Sequence, residues 1–345
     1  MNLTELKELC MLPGASGRES AVRNYLLKEL EKLPLPDCLV QVDRLGNLIV
    51  QKQGRRSDVP RIMVAAHMDE VAMMVTDITA EGALRFGAVG GIDPVAMIGR
   101  QVRVGADQLP GVIGACPIHR LSAEQRKHPP KTDELAVDIG AGSREEAEKY
   151  VSLGDVITFA PEFHAFGDGK IAAKALDDRY GCSLLLSLLR EELPCDLTVV
   201  FTVQEEVGLR GAAVAANAIK PHIAVVLETT TAADLPDSEN PVCRLGGGAV
   251  ISYMDGRTVY DAALYRLAVE LCEARGIPWQ TKTKIAGGND AGAIQNSGAR
   301  VLAVSVPCRY LHSPLCVMQE SDADACNALL HALLKHLAEN GAPAL

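Results

Sequence analysis

The spacing of apolar residues changes along the first part of the chain from a helical to an extended pattern. Apolar side chains recur every three or four residues between positions 22 and 30, and Ser16 and Glu19 before them fit a capping box that would begin this helix. Apolar residues on both sides of a tight turn predict a β-hairpin within residues 40–53. The continuous apolar run of residues 61–66 predicts a strand that is buried on both faces.

Between residues 72 and 165 the pattern changes to short strands that alternate with turns rich in glycine and proline. Ser143 and Glu146 open one predicted helix within this stretch. Short strands at this spacing are typical of a small β-barrel or sandwich. We therefore predict that residues 72–165 form a β-rich domain inserted into a larger domain, which comprises residues 1–71 and 166–345. The predicted strands of the insert are at residues 101–104, 111–115, 136–139 and 155–159.

Strands and helices alternate again after residue 165. This alternation predicts an α/β fold in which helices cover both faces of one sheet. Residues 170–176 also have an apolar pattern, and two aspartates follow them. The other predicted strands are at residues 197–203, 223–227 and 301–306, and the predicted helices are at residues 178–193, 260–275 and 323–339.

The charge balance and the aromatic content exclude several classes of protein. The 345 residues include 44 Asp and Glu but only 34 Lys and Arg, which gives a net charge of −10. Such an acidic chain is repelled by phosphate backbones, so nucleic acid is not an expected partner. Aromatic residues make up 4% of the chain and Trp279 is the single tryptophan, so stacking surfaces for bases or sugars are not expected either.

The cysteines and the hydropathy pattern bear on the cellular compartment. The ten cysteines form no Cys-x-x-Cys pair, which disfavours a zinc knuckle or a thioredoxin-like redox motif. The first residues interleave charged and apolar side chains, unlike a secretory signal, and no apolar run approaches the roughly 20 residues that span a bilayer. We therefore expect a soluble cytoplasmic protein with reduced thiols and no membrane partner.

Acidic residues and histidines follow five apolar segments at their carboxyl ends. In an open α/β sheet the ligand crevice lies outside these ends, so we expect the side chains to converge. A lone histidine or aspartate in such a place is more often a hydrogen-bonded or capping residue, but so many carboxylates together would repel one another unless cations neutralise them. The residues in question are His67, Asp69, Asp177, Asp178, Glu205, Glu206, Glu228 and His312.

The types of side chain in this group suggest a pair of divalent ions. Imidazole and carboxylate donors without thiolate suit Zn²⁺, Co²⁺, Mn²⁺ or Ni²⁺. We expect Asp177 to bridge the two ions, which would together acidify a water molecule, as in metal hydrolases. The other expected ligands are His67 and Glu228 for one ion, and Glu206 and His312 for the other.

The neighbours Glu205 and Glu206 are expected to have different roles. Successive side chains of an extended strand point to opposite sides, so Glu206 can bind metal while Glu205 stays unligated as a general base. Asp69 comes two residues after His67. Its carboxylate is therefore expected to hold the ring nitrogen that the metal does not use.

The same residues carry a resemblance to a known family. The segment from Gly287 to Ala291, Gly-Gly-Asn-Asp-Ala, is similar to the family's Gly-Gly-Thr-Asp-Ala and departs from it at Asn289. The resemblance extends over nearly the whole chain, including the predicted insert. Five further motifs stand in the order seen in the M42 family of metallo-aminopeptidases, some of whose members carry an old endoglucanase label: His67-x-Asp69, Leu176-Asp177-Asp178-Arg179, Gln204-Glu205-Glu206-Val207-Gly208, Leu227-Glu228-Thr229-Thr230 and Leu311-His312-Ser313.

The resemblance implies more than the residues alone indicate. It implies a zinc-peptidase-like α/β/α catalytic domain, two metal ions per subunit, and a PDZ-like inserted domain that drives assembly into homo-oligomers, including tetrahedral dodecamers. It also implies a cis peptide bond between Asp177 and Asp178. Carried over residue by residue, it implies the same five ligands, with Glu205 as the base, although the family often has aspartate where this chain has Glu228.

Removal of N-terminal residues from peptides is the leading functional hypothesis. A deacylase of N-acyl amino acids would use the same metal pair but would require a blocked amino group. A glycoside hydrolase needs two carboxyl groups roughly 5 to 9.5 Å apart across a sugar bond, an arrangement that adjacent glutamates beside histidines suit poorly. A purely structural metal site is a further alternative, but it has no use for an unligated base.

The sequence leaves the preferred N-terminal residue open. Specificity is expected to depend on loops within residues 230–260 and 285–296, and in part on neighbouring subunits. Arg257 has the charge to pair with an acidic substrate, but a surface arginine is the favoured interpretation.

Overall fold

The computed structural model describes residues 1–33, 38–236, 238–239 and 241–344. Its helices are, in chain order, α1 (Leu3–Met11), α2 (Ser20–Glu31), α3 (Pro94–Met97), α4 (Arg144–Ala147), α5 (Leu176–Arg190), α6 (Arg210–Ile219), α7 (Ala262–Arg275), α8 (Asp290–Gln295) and α9 (Glu320–Asn340). Its strands are β1 (Cys38–Val42), β2 (Leu48–Lys52), β3 (Ile62–His67), β4 (Ala72–Ile78), β5 (Leu84–Val89), β6 (Gln101–Val104), β7 (Leu109–Gly114), β8 (Ala136–Asp138), β9 (Val156–Phe159), β10 (Phe163–Phe166), β11 (Lys170–Ala173), β12 (Leu197–Thr202), β13 (Ile223–Thr231), β14 (Ala249–Ile251), β15 (Trp279–Thr281), β16 (Arg300–Cys308) and β17 (Cys316–Gln319). Among the described residues, no helix has both the length and the apolar character to cross a membrane.

The largest sheet is mixed, with its parallel strands at the centre. Within the described residues it has eight strands in the order β1-β2-β12-β3-β13-β16-β14-β15. β3 pairs in parallel with β12 and β13, and β13 pairs in parallel with β16. The predicted hairpin is confirmed as the antiparallel pair of β1 and β2. Because β3 lies between two strands, all its residues are buried, as the apolar run predicts.

Two hydrophobic clusters lie against the two faces of this sheet. Alternate side chains of β3 point to opposite faces, so Ile62 and Val64 belong to one cluster and Met63 and Ala65 to the other. Helices α1, α2, α5, α7 and α9 contribute side chains to the first cluster, and α6 and α8 contribute to the second. The predicted α/β class is therefore confirmed.

Strands β4 to β9 form a closed barrel in the order β4-β5-β8-β7-β6-β9, within residues 72–159, all of which the structure describes. The barrel closes because β9 pairs with both β4 and β6. Its buried side chains, among them Met73, Leu84, Ile113 and Ile157, form a hydrophobic core of their own. The predicted barrel or sandwich is thus a closed barrel, which also contains β4 and β5, two strands outside the predicted set.

A smaller sheet follows the barrel along the chain. It contains β10, β11 and β17, which pair in antiparallel fashion. The apolar segment of residues 170–176 is therefore not a strand of the largest sheet: β11 ends at Ala173, and α5 begins at Leu176. This sheet leads directly to the helix that carries Asp177.

The predicted capping box of Ser16 and Glu19 is wrong. Glu19 is the N-cap residue of α2, and no side chain caps that helix. The Ser16 hydroxyl instead donates to the Asp69 carboxylate, and the Glu19 carboxylate accepts from the main-chain N–H of Gln204. Partners far away in the sequence therefore hold both side chains that the local pattern assigned to the start of the helix.

The strand predicted at residues 223–227 is longer than its apolar pattern indicates. β13 continues to Thr231, so Glu228 lies within the strand and not after it. The reason is the pairing with β16, which continues as far as Thr231 opposite Cys308. Main-chain pairing keeps the segment extended after the apolar residues end.

Candidate metal centre

Several elements bring the predicted ligands together at one edge of the largest sheet. β3, β12 and β13 are parallel neighbours, and the register places Thr202 opposite His67. Their carboxyl ends therefore share one edge, where α/β proteins bind ligands. The side chains come from His67 at the end of β3, Asp177 in the first turn of α5, Glu205 and Glu206 after β12, Glu228 within β13, and His312 after β16.

Asp177 presents one carboxylate oxygen to each half of the cluster. Its Oδ1 lies 3.3 Å from Nε2 of His67, which is also 3.5 Å from Oε1 of Glu228. Its Oδ2 lies 3.4 Å from Nε2 of His312, which is also 3.3 Å from Oε2 of Glu206. Two tetrahedral ligands that are each 2.0–2.2 Å from one ion are about 3.3 Å apart. The residues therefore fit two ions that share Asp177.

Glu205 differs from its neighbour Glu206 in its partners. Both residues have a carboxylate oxygen that lies in a group with a His67 nitrogen, all within 4.8 Å of one another. Glu206 and Glu228 each form an ion pair with a histidine, whereas Glu205 forms no such pair in the described part of the chain. This difference in pairing is the one that the predicted roles of base and ligand require.

The cluster concentrates negative charge in a buried place. Burial raises the pKa of Glu205 and Glu228 well above the usual range for a glutamate. Burial and the charge of Asp177 together raise the pKa of Glu206 to about 7. A divalent cation stabilises such carboxylates in their charged form because it offsets both the repulsion and the loss of water. The donor set therefore fits metal ions.

The two histidines keep Asp177 ionised. Burial by itself would raise the pKa of Asp177, but hydrogen bonds from His312 and His67 hold it well below 3.8. Burial likewise opposes the charged form of His67, yet Glu228 and Asp177 raise its pKa well above 6.5. The pKa of His312 rises to about 9 against the effect of burial, through Asp177 and Glu206. Asp177 thus stays a carboxylate, the form in which it could bind a metal.

The second ring nitrogen of His67 has a partner that fixes its tautomer. His67 Nδ1 lies 3.0 Å from the main-chain oxygen of Asp69, which can only accept, so Nδ1 carries the proton. Nε2, which faces Asp177, is then the nitrogen that could bind a metal in exchange for its proton. The Asp69 carboxylate, which we expected in this role, lies 3.6 Å from Nδ1. It accepts instead from the main-chain N–H groups of Glu205 and Glu206 at 2.9 and 3.1 Å.

The chain turns sharply at the start of α5, where it presents Asp177. The peptide bond between Asp177 and Asp178 is cis, as the resemblance implies. Asp178 is buried, and its Oδ1 accepts the N–H of Gly181 at 3.0 Å. A Cβ at Gly181 would lie 2.3 Å from Oδ2 of Asp178, so this close approach requires glycine.

A cavity of about 400 Å³ adjoins the cluster. Asp177, Glu205, Glu206, Glu228 and His312 are part of its lining. The loops in which we expected specificity also contribute, and among their residues Arg257 is both exposed and part of the lining.

Two further cations on the cavity wall, Lys282 and Lys284, were not predicted from the sequence. Lys282 and Lys284 follow the short strand β15 and lie outside the predicted specificity loops. Lys282 is held by the carbonyl of Ala286, to which its Nζ donates at 2.9 Å. No local motif marks either lysine, since only the fold brings this segment to the cavity.

The chain is similar to known proteins over most of its length. A model of the family M42 glutamyl aminopeptidase matches residues 46–329. A putative aminopeptidase of Acetivibrio thermocellus is 38% identical over 94% of this chain and 96% of the relative. The lysyl aminopeptidase of Pyrococcus furiosus is 33% identical over 96% of each chain.

A solved structure extends this similarity to the fold. The TET1 peptidase of Pyrococcus horikoshii, which can assemble into a tetrahedron or a large octahedral shell, matches with a TM-score of 0.85 and 36% identity. The match covers 96% of this chain and 98% of that chain. The chain therefore belongs to the M42 peptidase family and is an aminopeptidase, a hydrolase that acts on peptide bonds.

Proposed function

We propose that this aminopeptidase holds two divalent ions and uses Glu205 as its general base. The observation that carries the proposal is that the two oxygens of Asp177 face different histidines. Nitrogen and carboxylate donors suit Zn²⁺ and Co²⁺, and also Mn²⁺ and Ni²⁺. The proposed ligands are His67, Asp177, Glu206, Glu228 and His312.

The reaction needs a proton acceptor beside an activated water. Ions bound at this site supply Lewis acidity and lower the pKa of water, which allows peptide hydrolysis near neutral pH. Glu205 is the proposed acceptor because its carboxyl is buried, lines the cavity and has a raised pKa. It takes a proton from the water as the water oxygen attacks the carbonyl carbon of the first peptide bond, and then donates that proton to the leaving amine as the C–N bond breaks.

The substitution Glu205→Gln tests this assignment because it removes the base and keeps the shape. We expect a fall in kcat of at least about 100-fold on an aminoacyl amide, with two metal ions still bound per subunit. Metal content and kcat are measured on the same preparation. Glu206→Gln is the matched control, because the neighbouring substitution should weaken metal binding as well.

Two results would contradict the proposal. One is a Glu205→Gln enzyme that keeps its metal and hydrolyses the amide at the normal rate. The other is hydrolysis of an N-acetylated substrate in preference to the free amine, which would favour the deacylase alternative. Hydrolysis of a β-glucan that survives chelation would favour the glycosidase alternative.

The cavity wall favours substrates with an acidic N-terminal residue. Arg257, Lys282 and Lys284 contribute three cations to the lining of the cavity that the carboxylates of the candidate metal centre also line. Cations on a concave wall attract a carboxylate side chain and repel a lysine. The family model is named for glutamyl aminopeptidase and one relative for lysyl aminopeptidase, so family membership alone does not fix this preference.

Aminoacyl amides with glutamate, leucine and lysine side chains test the preference. We expect the highest kcat/KM for glutamate. Lys284→Ala and Arg257→Ala should each lower kcat/KM for glutamate about tenfold or more while the value for leucine changes little. Lys335→Ala is the control, because Lys335 is an exposed lysine on α9 that pairs with Glu339. Equal kcat/KM values for glutamate and lysine would refute the preference.

We also propose that the subunits assemble and that the protein works in the cytoplasm. Residues 72–165, including the barrel, are the proposed assembly domain, in keeping with the PDZ-like insert that the resemblance implies, and residues 1–71 and 166–345 are the proposed catalytic domain. The assembly of the TET1 peptidase supports a homo-oligomer. Buried cysteines such as Cys10, Cys182 and Cys326 are free thiols, as in a reducing compartment. Light scattering of the purified protein measures the assembly, and a monomer at micromolar concentration would contradict it.

A further inference from the structure

Residues 14–19, here called the N-terminal segment, lie against the loop that carries Glu205 and Glu206. Ser16 Oγ donates to Oδ2 of Asp69 at 2.6 Å. Glu19 Oε1 accepts the main-chain N–H of Gln204 at 3.2 Å, across 185 residues of sequence. The segment therefore contacts residues 204–206, here called the catalytic loop, from a distant part of the sequence. Neither Ser16 nor Glu19 belongs to the described lining of the cavity.

Three successive main-chain N–H groups of the catalytic loop are held by carboxylates from elsewhere. The N–H of Gln204 donates to Glu19, and those of Glu205 and Glu206 donate to the two oxygens of Asp69. Gln204 has a φ of 56°, in the left-handed region that costs a non-glycine residue about 1 kcal/mol or more. Such a conformation persists only where surrounding contacts hold it.

Ser16 is one of three donors that orient the Asp69 carboxylate. Asp69 is fully buried, and its Oδ2 is shared by the Ser16 hydroxyl and the Glu206 N–H. The hydroxyl is the one side-chain O–H donor among these three bonds, and it helps to hold the rotation at which Oδ1 faces the N–H of Glu205. Without it, one lone pair of a buried carboxylate is left without a donor.

We propose that Ser16 and Glu19 are positioning residues for the reaction: through Asp69 and Gln204 they hold the loop in the conformation that places Glu205 and Glu206 at the metal centre. The inference rests on the proposed roles of those two glutamates. It gives the N-terminal segment a part in catalysis and metal binding, although the segment touches neither substrate nor metal.

Ser16→Ala is the first test, with Ser16→Thr as the variant that keeps the hydroxyl. We expect Ser16→Ala to lower kcat on an aminoacyl amide about tenfold or more with little change in KM. The same variant should raise the Kd for Zn²⁺, measured by competition with a chelator, by about tenfold. Ser16→Thr should recover most of both losses.

Ser183→Ala is the matched control for Ser16→Ala. Ser183 is also buried, and its hydroxyl donates to the buried carboxylate of Glu5 at 2.9 Å and not to a partner of the catalytic loop. Ser183→Ala should lower the Tm by about as much as Ser16→Ala does, with kcat and the Kd for Zn²⁺ unchanged. A merely structural role for Ser16 would give the same result in both variants.

Glu19 supplies an independent pair of variants. Its Oε1 accepts from both Gly17 and Gln204, so a glutamine can replace it with its amide oxygen, whereas Glu19→Ala leaves both N–H groups without an acceptor. We expect Glu19→Gln to keep nearly full kcat and Glu19→Ala to lose about tenfold. Asp322→Ala is the control, because Asp322 is a buried carboxylate that accepts the N–H groups of Gly246 and Gly248.

The outcomes separate this inference from the proposed function. If Ser16→Ala and Glu19→Ala lose no more kcat and zinc affinity than their controls, the positioning role is wrong even though the enzyme is active. If the native enzyme binds zinc but hydrolyses no aminoacyl amide, the proposed function is wrong, while weaker zinc binding by Ser16→Ala still supports positioning of Glu206. If Ser16→Ala does not fold, the comparison of Glu19→Ala with Glu19→Gln decides the question. Equal zinc affinities in these two Glu19 variants would refute the positioning role.

Discussion

At the scale of single residues, Asp177 is the proposed ligand whose loss should have the widest effect. Each of its oxygens faces one histidine, and that histidine also pairs with a glutamate, so both proposed ion sites depend on Asp177. We expect Asp177→Ala to bind neither ion tightly, and His312→Ala to lose only the ion that it shares with Glu206. Metal content per subunit is measured after dialysis against a fixed level of free Zn²⁺. It should fall from two ions towards zero in Asp177→Ala and towards one in His312→Ala. Equal metal content in the two variants would contradict the bridge.

The convergence of the candidate ligands could be predicted from the sequence because a general rule places them. Side chains that follow parallel strands share one edge of a sheet, and His67, Glu205, Glu206 and His312 do so here. Ser16 has no such rule, because its partner Asp69 is 53 residues away. The place of Lys282 and Lys284 on the cavity wall could not be predicted for the same reason, since only the folded chain shows which surface they line.

At the scale of secondary structure, Asp261 joins a helix to a strand. Its carboxylate accepts the N–H groups of Ala263 and Leu264 at the start of α7, and forms two hydrogen bonds with the guanidinium of Arg300 in β16. The bonds to Arg300 hold the pKa of Asp261 below 3.8. A carboxylate whose pKa is lower in the folded state than in the unfolded state stabilises the fold above the unfolded pKa.

We therefore expect Asp261→Ala to lower the free energy of unfolding by about 1–2 kcal/mol at pH 7, from the lost cap alone. As the pH falls below 3.8, the native protein loses this contribution and the variant has none to lose, so the difference should shrink. Urea unfolding at pH 7 and at pH 3.5 measures both values. If the difference in the free energy of unfolding between the native protein and Asp261→Ala grows on acidification, the charged form of Asp261 does not stabilise the fold.

Strand and helix positions could be predicted where the local pattern and the tertiary fold agree. β3 is apolar throughout and lies at the centre of the sheet, so its pattern predicts it correctly. The end of β13 could not be predicted, because its pairing with β16 and not its hydrophobicity extends it past Leu227. The capping box failed because long-range hydrogen bonds hold Ser16 and Glu19.

At the scale of the whole molecule, the barrel meets the metal centre at Gly90. This glycine follows β5 and has a φ of +86°. A Cβ there would lie 2.9 Å from Cγ1 of Val71 and 3.4 Å from Cβ of Glu206. The barrel thus packs directly behind a proposed metal ligand.

We expect Gly90→Ala to lower kcat by more than its effect on stability explains, because the added methyl would clash with Val71 and tighten the packing against Glu206. Gly99→Ala is the control: Gly99 is also in the barrel region with a positive φ of 74°, but a Cβ there has nothing within 4 Å. Both variants should lose a similar amount of stability through backbone strain, about 1 kcal/mol. Steady-state kinetics and thermal unfolding separate the two effects, and equal kcat values would contradict the contact with Glu206.

The proposed ligands are spread from His67 to His312, and this has a thermodynamic consequence. The unfolded chain cannot bring them together, so metal binds the native state alone and metal loading and folding become linked equilibria. At a free metal concentration 100 times the Kd, each site adds about 2.7 kcal/mol to the free energy of unfolding. The Tm should therefore rise with free Zn²⁺ and fall by several degrees in a chelator, while that of Asp177→Ala should stay constant. A melting curve recorded against metal concentration thus becomes a titration of the active site, and it needs no substrate.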